Sequence, residues 1–357
     1  MEAKLPMPNI NKNAPLIALA AAALFGVSTP LAKLLLGDIS PWLLAGLLYL
    51  GSGFGLGLLM LARKFSGAAA SETALSRTDI PWLAGTILFG GILGPLLLLY
   101  GLNLTDAASA SLLLNLEAVF TLLLAWIVFR EHVDSRLFIG AIAIVAGALL
   151  LSWQGSFGNL SWGVVFIALA CFSWGIDNNL TRKISAVDPF VLAAIKGICA
   201  GSVNTVLAMA SGAKFPAIVG LASAMSLGFV SYGLGLVLFI VALRYLGTAR
   251  TGAYYGTAPF IGAIASAVLL GSPLTAFILI AGLLMALGAW LHLSERHGHG
   301  HSHEEMDHSH RHSHDEHHQH EHAPGDPVDE PHAHAHRHTP VKHTHRHWPD
   351  LHHRHRH

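Results

Sequence analysis

Charged residues are scarce in this sequence. Asp, Glu, Lys and Arg make up 12% of its 357 residues and hydrophobic residues make up 53%, whereas a soluble domain carries roughly 25% charged residues. The two signs of charge balance to a formal net charge of zero. The composition therefore excludes an ordinary soluble domain, and it offers no basic surface for a nucleic-acid partner.

Cysteines and catalytic motifs are also scarce. Cys171 and Cys199 are the two cysteines and both lie inside apolar runs, so a disulfide framework is excluded. The apolar runs contain no His-Glu-x-x-His, Gly-x-Ser-x-Gly or paired-Asp motif of an intramembrane enzyme. We therefore expect no enzymatic activity and no tightly bound cofactor.

Long apolar runs dominate the sequence instead. A helix needs about 20 apolar residues to cross a hydrocarbon core of roughly 30 Å. Ten runs approach this length, with polar boundaries such as GDISP, SRTDIP and QGSFGN, and they cover residues 15–36, 41–62, 80–102, 107–129, 137–153, 161–181, 189–210, 217–243, 248–270 and 273–293. The sequence therefore predicts an all-α, multi-pass protein of the lipid bilayer with ten transmembrane helices.

Lysine and arginine lie mostly in alternate loops. If the N-terminus is cytoplasmic, the cytoplasmic segments contain Lys4, Lys12, Arg63, Lys64, Arg77, Arg130, Arg136, Arg182, Lys183, Arg244 and Arg296. The loops on the other side contain little beyond Lys33 and Lys214. Because cytoplasmic loops are enriched in Lys and Arg, we expect both termini in the cytosol and the protein in a bacterial-type inner membrane.

The ten runs divide into two blocks of five. A cytosolic segment, 1–14, precedes the first block, 15–153, and the second block covers 161–293. ALFGVSTPLAK in the first block aligns with FSWGIDNNLTR in the second, and the runs and loops are similarly spaced. Because five is odd, the two copies are inverted in the membrane. Inverted repeats place a substrate site near the midplane and expose it alternately to each side, which favours a transporter.

The ends of the two blocks resemble a known family. SLLLNLEAVFTLLLAWIVFREHVDSRLFIGAIAIVAGALLL closes the first block and GTAPFIGAIASAVLLGSPLTAFILIAGLLMALGAW the second, with FG and WG early in each. Over residues 15–293 the chain resembles EamA domains of the drug/metabolite transporter superfamily. Glu131 matches the family's acid at the end of the fourth helix, and the equivalent position of the second block is Ser272. Pro259 in the second block matches the family's helix-breaking proline, and the equivalent position of the first block is Ala118. The resemblance implies movement of a small metabolite by exchange or a proton gradient, without naming a substrate.

Polar residues inside the runs are the candidate transport residues, because a charge at the bilayer centre costs about 2.5–3.5 kcal/mol on insertion scales. Glu117 lies near the midplane and would carry a proton, bind a polar substrate, or only link helices; Asn115 is two residues away on another face. Asp177 and Lys196 are expected at the same depth in the membrane on neighbouring helices. They would form either a gate or a purely structural ion pair. Asn178 follows Asp177 and completes the candidates for substrate binding or coupling.

The composition changes completely at His297. Residues 297–357 contain 23 of the 25 histidines and few large apolar residues, which predicts a disordered cytosolic tail. In an extended chain His-x-His places both imidazoles on one side, and imidazole binds transition metals. We expect divalent Zn, Ni, Co or Cu to bind, with the candidate ligands His297, His299, His301, His303, His308, His310, His312, His314, His317, His318, His320 and His322.

Three roles for the tail remain open. In the first, the tail supplies or senses metal for a carrier of metal. In the second, it senses pH, because a free histidine titrates near pH ~6.5. In the third, it buffers metal independently of the cargo. His132 and His292 lie near helix ends, so the runs contain no His-rich ligand set for a bare metal ion.

We therefore predict a secondary transporter that moves a small metabolite or amino-acid-like solute by alternating access. A transition-metal or metal-chelate exporter is the first alternative, and a non-transporting membrane metal sensor is the alternative from another class. The sequence does not determine the oligomeric state.

Overall fold

The computed structural model describes residues 10–65, 75–129, 135–152, 161–184, 187–293, 298–302, 306–312, 332–338 and 342–346. Its α-helices are α1 (Ile10–Leu35), α2 (Pro41–Phe65), α3 (Ile80–Thr86), α4 (Gly94–Leu104), α5 (Ala107–Leu113), α6 (Leu116–Phe129), α7 (Ser135–Ser152), α8 (Trp162–Thr181), α9 (Pro189–Ala210), α10 (Ile218–Leu227), α11 (Gly235–Tyr255), α12 (Ala258–Leu270) and α13 (Ala276–Leu293). Short 3₁₀ turns occupy Arg77–Asp79 and Arg182–Ile184, and π-helical segments occupy Ile87–Leu93 and Gly228–Leu234.

In the described part of the chain, these helices group into ten apolar segments. Eight apolar helical stretches in the described part of the chain are long enough to cross a membrane, and α12 and α13 are shorter apolar helices. The third span consists of α3, the π segment Ile87–Leu93 and α4, and the fourth consists of α5 and α6, with a turn at Leu114 and Asn115. The predicted all-α membrane fold is confirmed.

The chain reverses direction within α11, between the eighth and ninth spans. The ring centroids of Phe239 and Tyr255 lie 4.6 Å apart, whereas a straight helix rises ~1.5 Å per residue and would separate them by about 24 Å. Helical hydrogen bonding therefore continues through a reversal. The last part of α11 belongs to the ninth span, which is interrupted at Gly256 and Thr257 before α12 begins.

The two halves of the bundle are related by an inverted repeat. The third and eighth spans each contain a seven-residue π segment, and the fourth and ninth spans are each interrupted by a two-residue turn. Helix contacts follow the same relation: α1 packs on α11 and α12, and its counterpart α8 packs on α4 and α6. The pairs α2–α9, α7–α13 and α5–α12 join equivalent spans of the two halves. Exchanging the halves therefore preserves the main contacts between helices.

Glycines allow α2 and α9 to pack closely along their length. A Cβ added to Gly53 would lie 2.5 Å from the backbone nitrogen of Ile198, and one added to Gly197 would lie 2.6 Å from the nitrogen of Gly53. Small residues are used in this way where membrane helices contact each other backbone to backbone. On the outer face of the bundle, large apolar side chains such as Val268 and Leu283 remain exposed, as lipid contact requires.

Within the tail, four short segments pair as strands. β1 (Gly298–Ser302) pairs antiparallel with β4 (Lys342–Arg346), and β2 (Met306–His312) pairs antiparallel with β3 (His332–His338). Their alternation of histidine with small or polar residues has the two-residue period of a β-strand. The other residues of 297–357 lie outside the described part of the chain.

Candidate functional site

The π segment of the third span provides backbone acceptors at the centre of the bundle. The Gly90 carbonyl oxygen accepts hydrogen bonds from Tyr49 Oη at 2.7 Å and from Trp174 Nε1 at 3.2 Å. The neighbouring Gly91 carbonyl accepts from Asn204 Nδ2 at 3.3 Å. Widening an α-helix to a π-helix shifts the backbone hydrogen bonds, and such segments are frequent at functional sites. Here the segment connects the second, sixth and seventh spans.

An ion pair lies directly against this π segment. Lys196 Nζ on α9 donates to Asp177 Oδ2 on α8 at 2.5 Å, and the two side chains are only 20% and 10% exposed. Thr181 Oγ1 donates to the other carboxylate oxygen at 3.3 Å. A Cβ on Gly90 would collide with the Asp177 carboxylate and lie 2.5 Å from Lys196 Nζ. Residue 90 must therefore be glycine for this pair to form as it does.

A second acid lies beside the break in the fourth span. Glu117 occupies the first turn of α6, just after the turn at Leu114 and Asn115. Its Oε1 accepts a hydrogen bond from Asn178 Nδ2 at 2.8 Å, and the same amide lies 3.2 Å from Thr121 Oγ1. Glu117 is partly exposed and Asn178 is exposed, so a ligand can approach both side chains.

Four of the five candidate residues gather in one neighbourhood. Glu117 lies within electrostatic range of both Asp177 and Lys196, and Asn178 is next to Asp177 in the chain. Asn115 lies elsewhere: its buried side chain donates to the Leu112 carbonyl at 2.8 Å and lies 3.9 Å from Met285 Sδ on α13. Asn115 therefore contacts α13 and makes no hydrogen bond to the ionisable cluster among the described contacts.

Aromatic side chains border this cluster, and sequence reasoning assigned them no role. Tyr49 contacts Tyr232 at 5.8 Å between ring centroids, Tyr232 contacts Phe25 at 6.0 Å, and Phe25 contacts Tyr255 at 5.7 Å. The series joins spans of both halves. A sequence signal for it existed, because tyrosines inside apolar runs need a partner for their hydroxyl group.

The described part of the helical bundle contains no cluster of metal ligands. Among the residues whose side chains are described, no group of three or more His, Cys, Asp or Glu could hold a metal ion. Cys171 is buried and Cys199 is exposed, and His292 Nε2 lies 2.9 Å from the Leu137 carbonyl oxygen. Of the candidate tail ligands, β1 contains His299 and His301 and β2 contains His308, His310 and His312. Outside the described residues lie His297, His303, His314, His317, His318, His320 and His322.

Comparison with known proteins gives matches along the helical part of the chain. The EamA-like transporter family matches residues 12–153 and again residues 161–294. An "Uncharacterized transporter" of Methanothermobacter thermautotrophicus is 27% identical over 288 residues, which is 76% of this chain and 84% of that protein. The "Uncharacterized transporter YvbV" of Bacillus subtilis is 28% identical over 268 residues, or 73% of this chain and 85% of that protein.

A smaller protein and a solved structure also match. The "Probable 4-amino-4-deoxy-L-arabinose-phosphoundecaprenol flippase subunit ArnE" of Pseudomonas fluorescens is 38% identical over 97 residues, 26% of this chain and 82% of that protein. A solved crystal structure superposes with a TM-score of 0.58 at 21% identity, covering 78% of this chain and 95% of the other. At that identity the superposition concerns the fold alone.

Proposed function

The chain belongs to the EamA-like transporter family, and on this premise we propose that it moves a small zwitterionic, amino-acid-like solute by alternating access. The proposal depends on one observation: a lysine and two carboxylates gather beside the π segment and the helix break, where both halves contribute side chains. Inverted-repeat transporters bind their substrates in such positions, next to interrupted helices.

Lys196 is the proposed partner of the solute's carboxylate. In the absence of solute its charge is balanced by Asp177 at 2.5 Å. A carboxylate that enters would compete for the same ammonium group, since charge-assisted hydrogen bonds are about twice as strong as neutral ones. Sharing Lys196 between Asp177 and the solute carboxylate keeps both buried charges of the pair compensated, whereas complete displacement of Asp177 would leave its carboxylate unpaired in a low-dielectric interior.

Glu117 and the aromatic series are the proposed partners of the remaining solute groups. The Glu117 carboxylate has an amide partner, Asn178, but no hydrogen-bonded cation in the described contacts. A solute ammonium group would supply that cation. The rings of Tyr49, Tyr232 and Tyr255 offer apolar faces with polar ends, which suits a solute that has a short hydrocarbon part.

The proposal also includes the membrane location of the transporter and the role of its tail. We propose a bacterial-type inner membrane with both termini in the cytosol, supported by the distribution of Lys and Arg between alternate loops. We further propose that the tail binds divalent transition metal ions, supported by its 23 histidines. The tail would then respond to metal while the helical bundle carries the solute.

The test is solute counterflow in proteoliposomes that contain the purified full-length protein. A panel of radiolabelled amino acids would be exchanged against unlabelled solute, together with Ni²⁺, Co²⁺ and Zn²⁺. We expect exchange of at least one amino acid, lost in Lys196→Met and in Glu117→Gln. The matched controls, Lys214→Met and Asp38→Asn, change exposed residues at loops and should keep wild-type exchange. Exchange of metal ions without any amino acid would contradict the proposal, as would full activity of Lys196→Met.

A further inference from the structure

The histidines of the tail lie opposite one another in the two antiparallel ladders. The register of backbone pairing places five pairs of histidines at directly opposed positions: His299 with His345, His301 with His343, His308 with His336, His310 with His334, and His312 with His332. Between the last three pairs come Ser309 opposite Ala335 and Arg311 opposite Ala333. Histidine therefore recurs at every second position of both paired strands.

Both ladders follow one register. Gly298 is opposite Arg346 at the start of β1, and His312 is opposite His332 at the end of β2. Three residues separate β1 from β2, and three separate β3 from β4. In both ladders, later histidines of the tail are therefore opposite earlier ones in the backbone pairing.

Opposed histidines in such a register are within reach of one metal ion. Alternate residues of a strand share a face of the sheet, and directly opposed residues have Cβ atoms about 4.5–5.5 Å apart. Successive residues on that face are about 6.6–6.8 Å apart along the strand. Two neighbouring pairs thus bring four histidine positions within the spacing of one site, and zinc takes four ligands at about 2.0–2.3 Å.

The two ladders lack the usual source of stability. A two-stranded ladder by itself is marginally stable in water and needs an apolar face or a packing partner. Among the paired residues of β1 to β4, Met306 is the only large apolar side chain. A metal ion bound by both arms would supply the missing link, because metal binding and folding are coupled when the ligands come from separate segments.

We infer that each ladder forms a cross-strand site for one divalent transition metal ion. In β2–β3 the ligands are His308, His310, His334 and His336; in β1–β4 they are His299, His301, His343 and His345. The inference rests on the proposed metal binding by the tail and makes it specific. Half of these ligands lie in the later segments 332–338 and 342–346, beyond the candidate ligands His297 to His322 that were named from the sequence.

The first test compares two histidine-pair variants of the full-length protein in detergent. His334→Gln/His336→Gln removes two proposed ligands, and His320→Gln/His322→Gln removes two histidines from outside the ladders. Zn²⁺ binding is measured by isothermal titration calorimetry. We expect the first variant to bind one tight ion fewer than the wild type and the control variant to keep the wild-type number. Equal losses in both variants would overturn the cross-strand sites while leaving metal binding by the tail in place, and no binding by the wild type would overturn both.

The second test measures the pairing itself. Ser309→Cys and Ala335→Cys introduce spin labels at opposed positions between the histidine pairs, in a Cys199→Ser background that removes the exposed thiol. Zn²⁺ is diamagnetic and leaves the labels intact. We expect Zn²⁺ to produce a narrow, short distance between the labels, and we expect His334→Gln/His336→Gln to abolish this change. A distance distribution that Zn²⁺ does not alter would overturn the inference.

Discussion

Removing one member of the Asp177–Lys196 pair should destabilise the bundle far more than removing both. The pair joins α8 to α9 and lies against the π segment of the third span. In Asp177→Asn the Lys196 ammonium group stays buried without its ion-pair partner. In Lys196→Met the Asp177 carboxylate stays buried without its partner. The double variant Asp177→Asn/Lys196→Met contains neither charge.

The expected loss of stability can be worked out from the geometry of the pair. Two unit charges 2.5 Å apart attract by about 6–7 kcal/mol at an effective dielectric constant of ~20, and desolvation of each ion costs several kcal/mol. The two terms largely cancel, so the net contribution of the intact pair is small. Loss of one partner leaves the desolvation of the other uncompensated, which costs roughly 3–5 kcal/mol. We therefore expect that loss in each single variant and much less in the double variant.

Equilibrium unfolding in mixed micelles with increasing SDS provides the assay. Cys171 is buried, so in a Cys199→Ser background the labelling of its thiol reports unfolding. Lys214→Met serves as the control. Substitution of an exposed side chain that has no buried ion pair changes the free energy of unfolding by about 0.5 kcal/mol or less. Additive losses in the double variant, or single variants within that same margin, would refute the account of a coupled buried pair.

Three further variants test other contacts with the same unfolding assay. Lys33→Met should cost roughly 1.5–3 kcal/mol, because Lys33 Nζ donates to three carbonyl oxygens at the end of α4; a loss no larger than that of Lys214→Met would contradict this. Tyr49→Phe should cost only about 0.5–1.5 kcal/mol, since Trp174 still donates to the same carbonyl oxygen; a much larger loss would show that the two donors are not interchangeable. Gly90→Ala should cost roughly 1–3 kcal/mol by overpacking and should also impair solute exchange, and a stable, active Gly90→Ala would show that the ion pair has room to move.

The number of spans and their approximate limits could be predicted from hydropathy alone. Each span needs a run of apolar residues whatever its neighbours are, and the ten runs correspond to the ten spans. The interruptions inside the spans were less accessible to sequence reasoning. The π segment Ile87–Leu93 contains the same leucine, isoleucine and glycine residues as the regular helices around it. Its π-helical backbone hydrogen bonding is visible only in the folded structure, where Tyr49 and Trp174 donate to the Gly90 carbonyl oxygen.

The candidate site was predictable in part. Asp177 and Lys196 were expected to pair because their distances from the ends of consecutive helices match, and they do contact each other. The neighbourhood of Glu117 and Asn178 could not be predicted, because the two residues are 61 positions apart and lie on helices that are not consecutive. Asn115 is only two residues from Glu117, yet its side chain packs towards α13.

By itself, the sequence determined that this is a membrane protein of two similar five-helix halves with a histidine-rich tail, since composition, run length and internal repetition are properties of the chain as written. Only the tertiary structure decided which polar groups meet: Glu117 with Asn178, and Tyr49 with the Gly90 carbonyl oxygen. It also decided the backbone register that places early tail histidines opposite late ones. The physical reason is that a hydrogen bond or ion pair between distant segments depends on how helices and strands pack and in which register. No local pattern of residues specifies that arrangement.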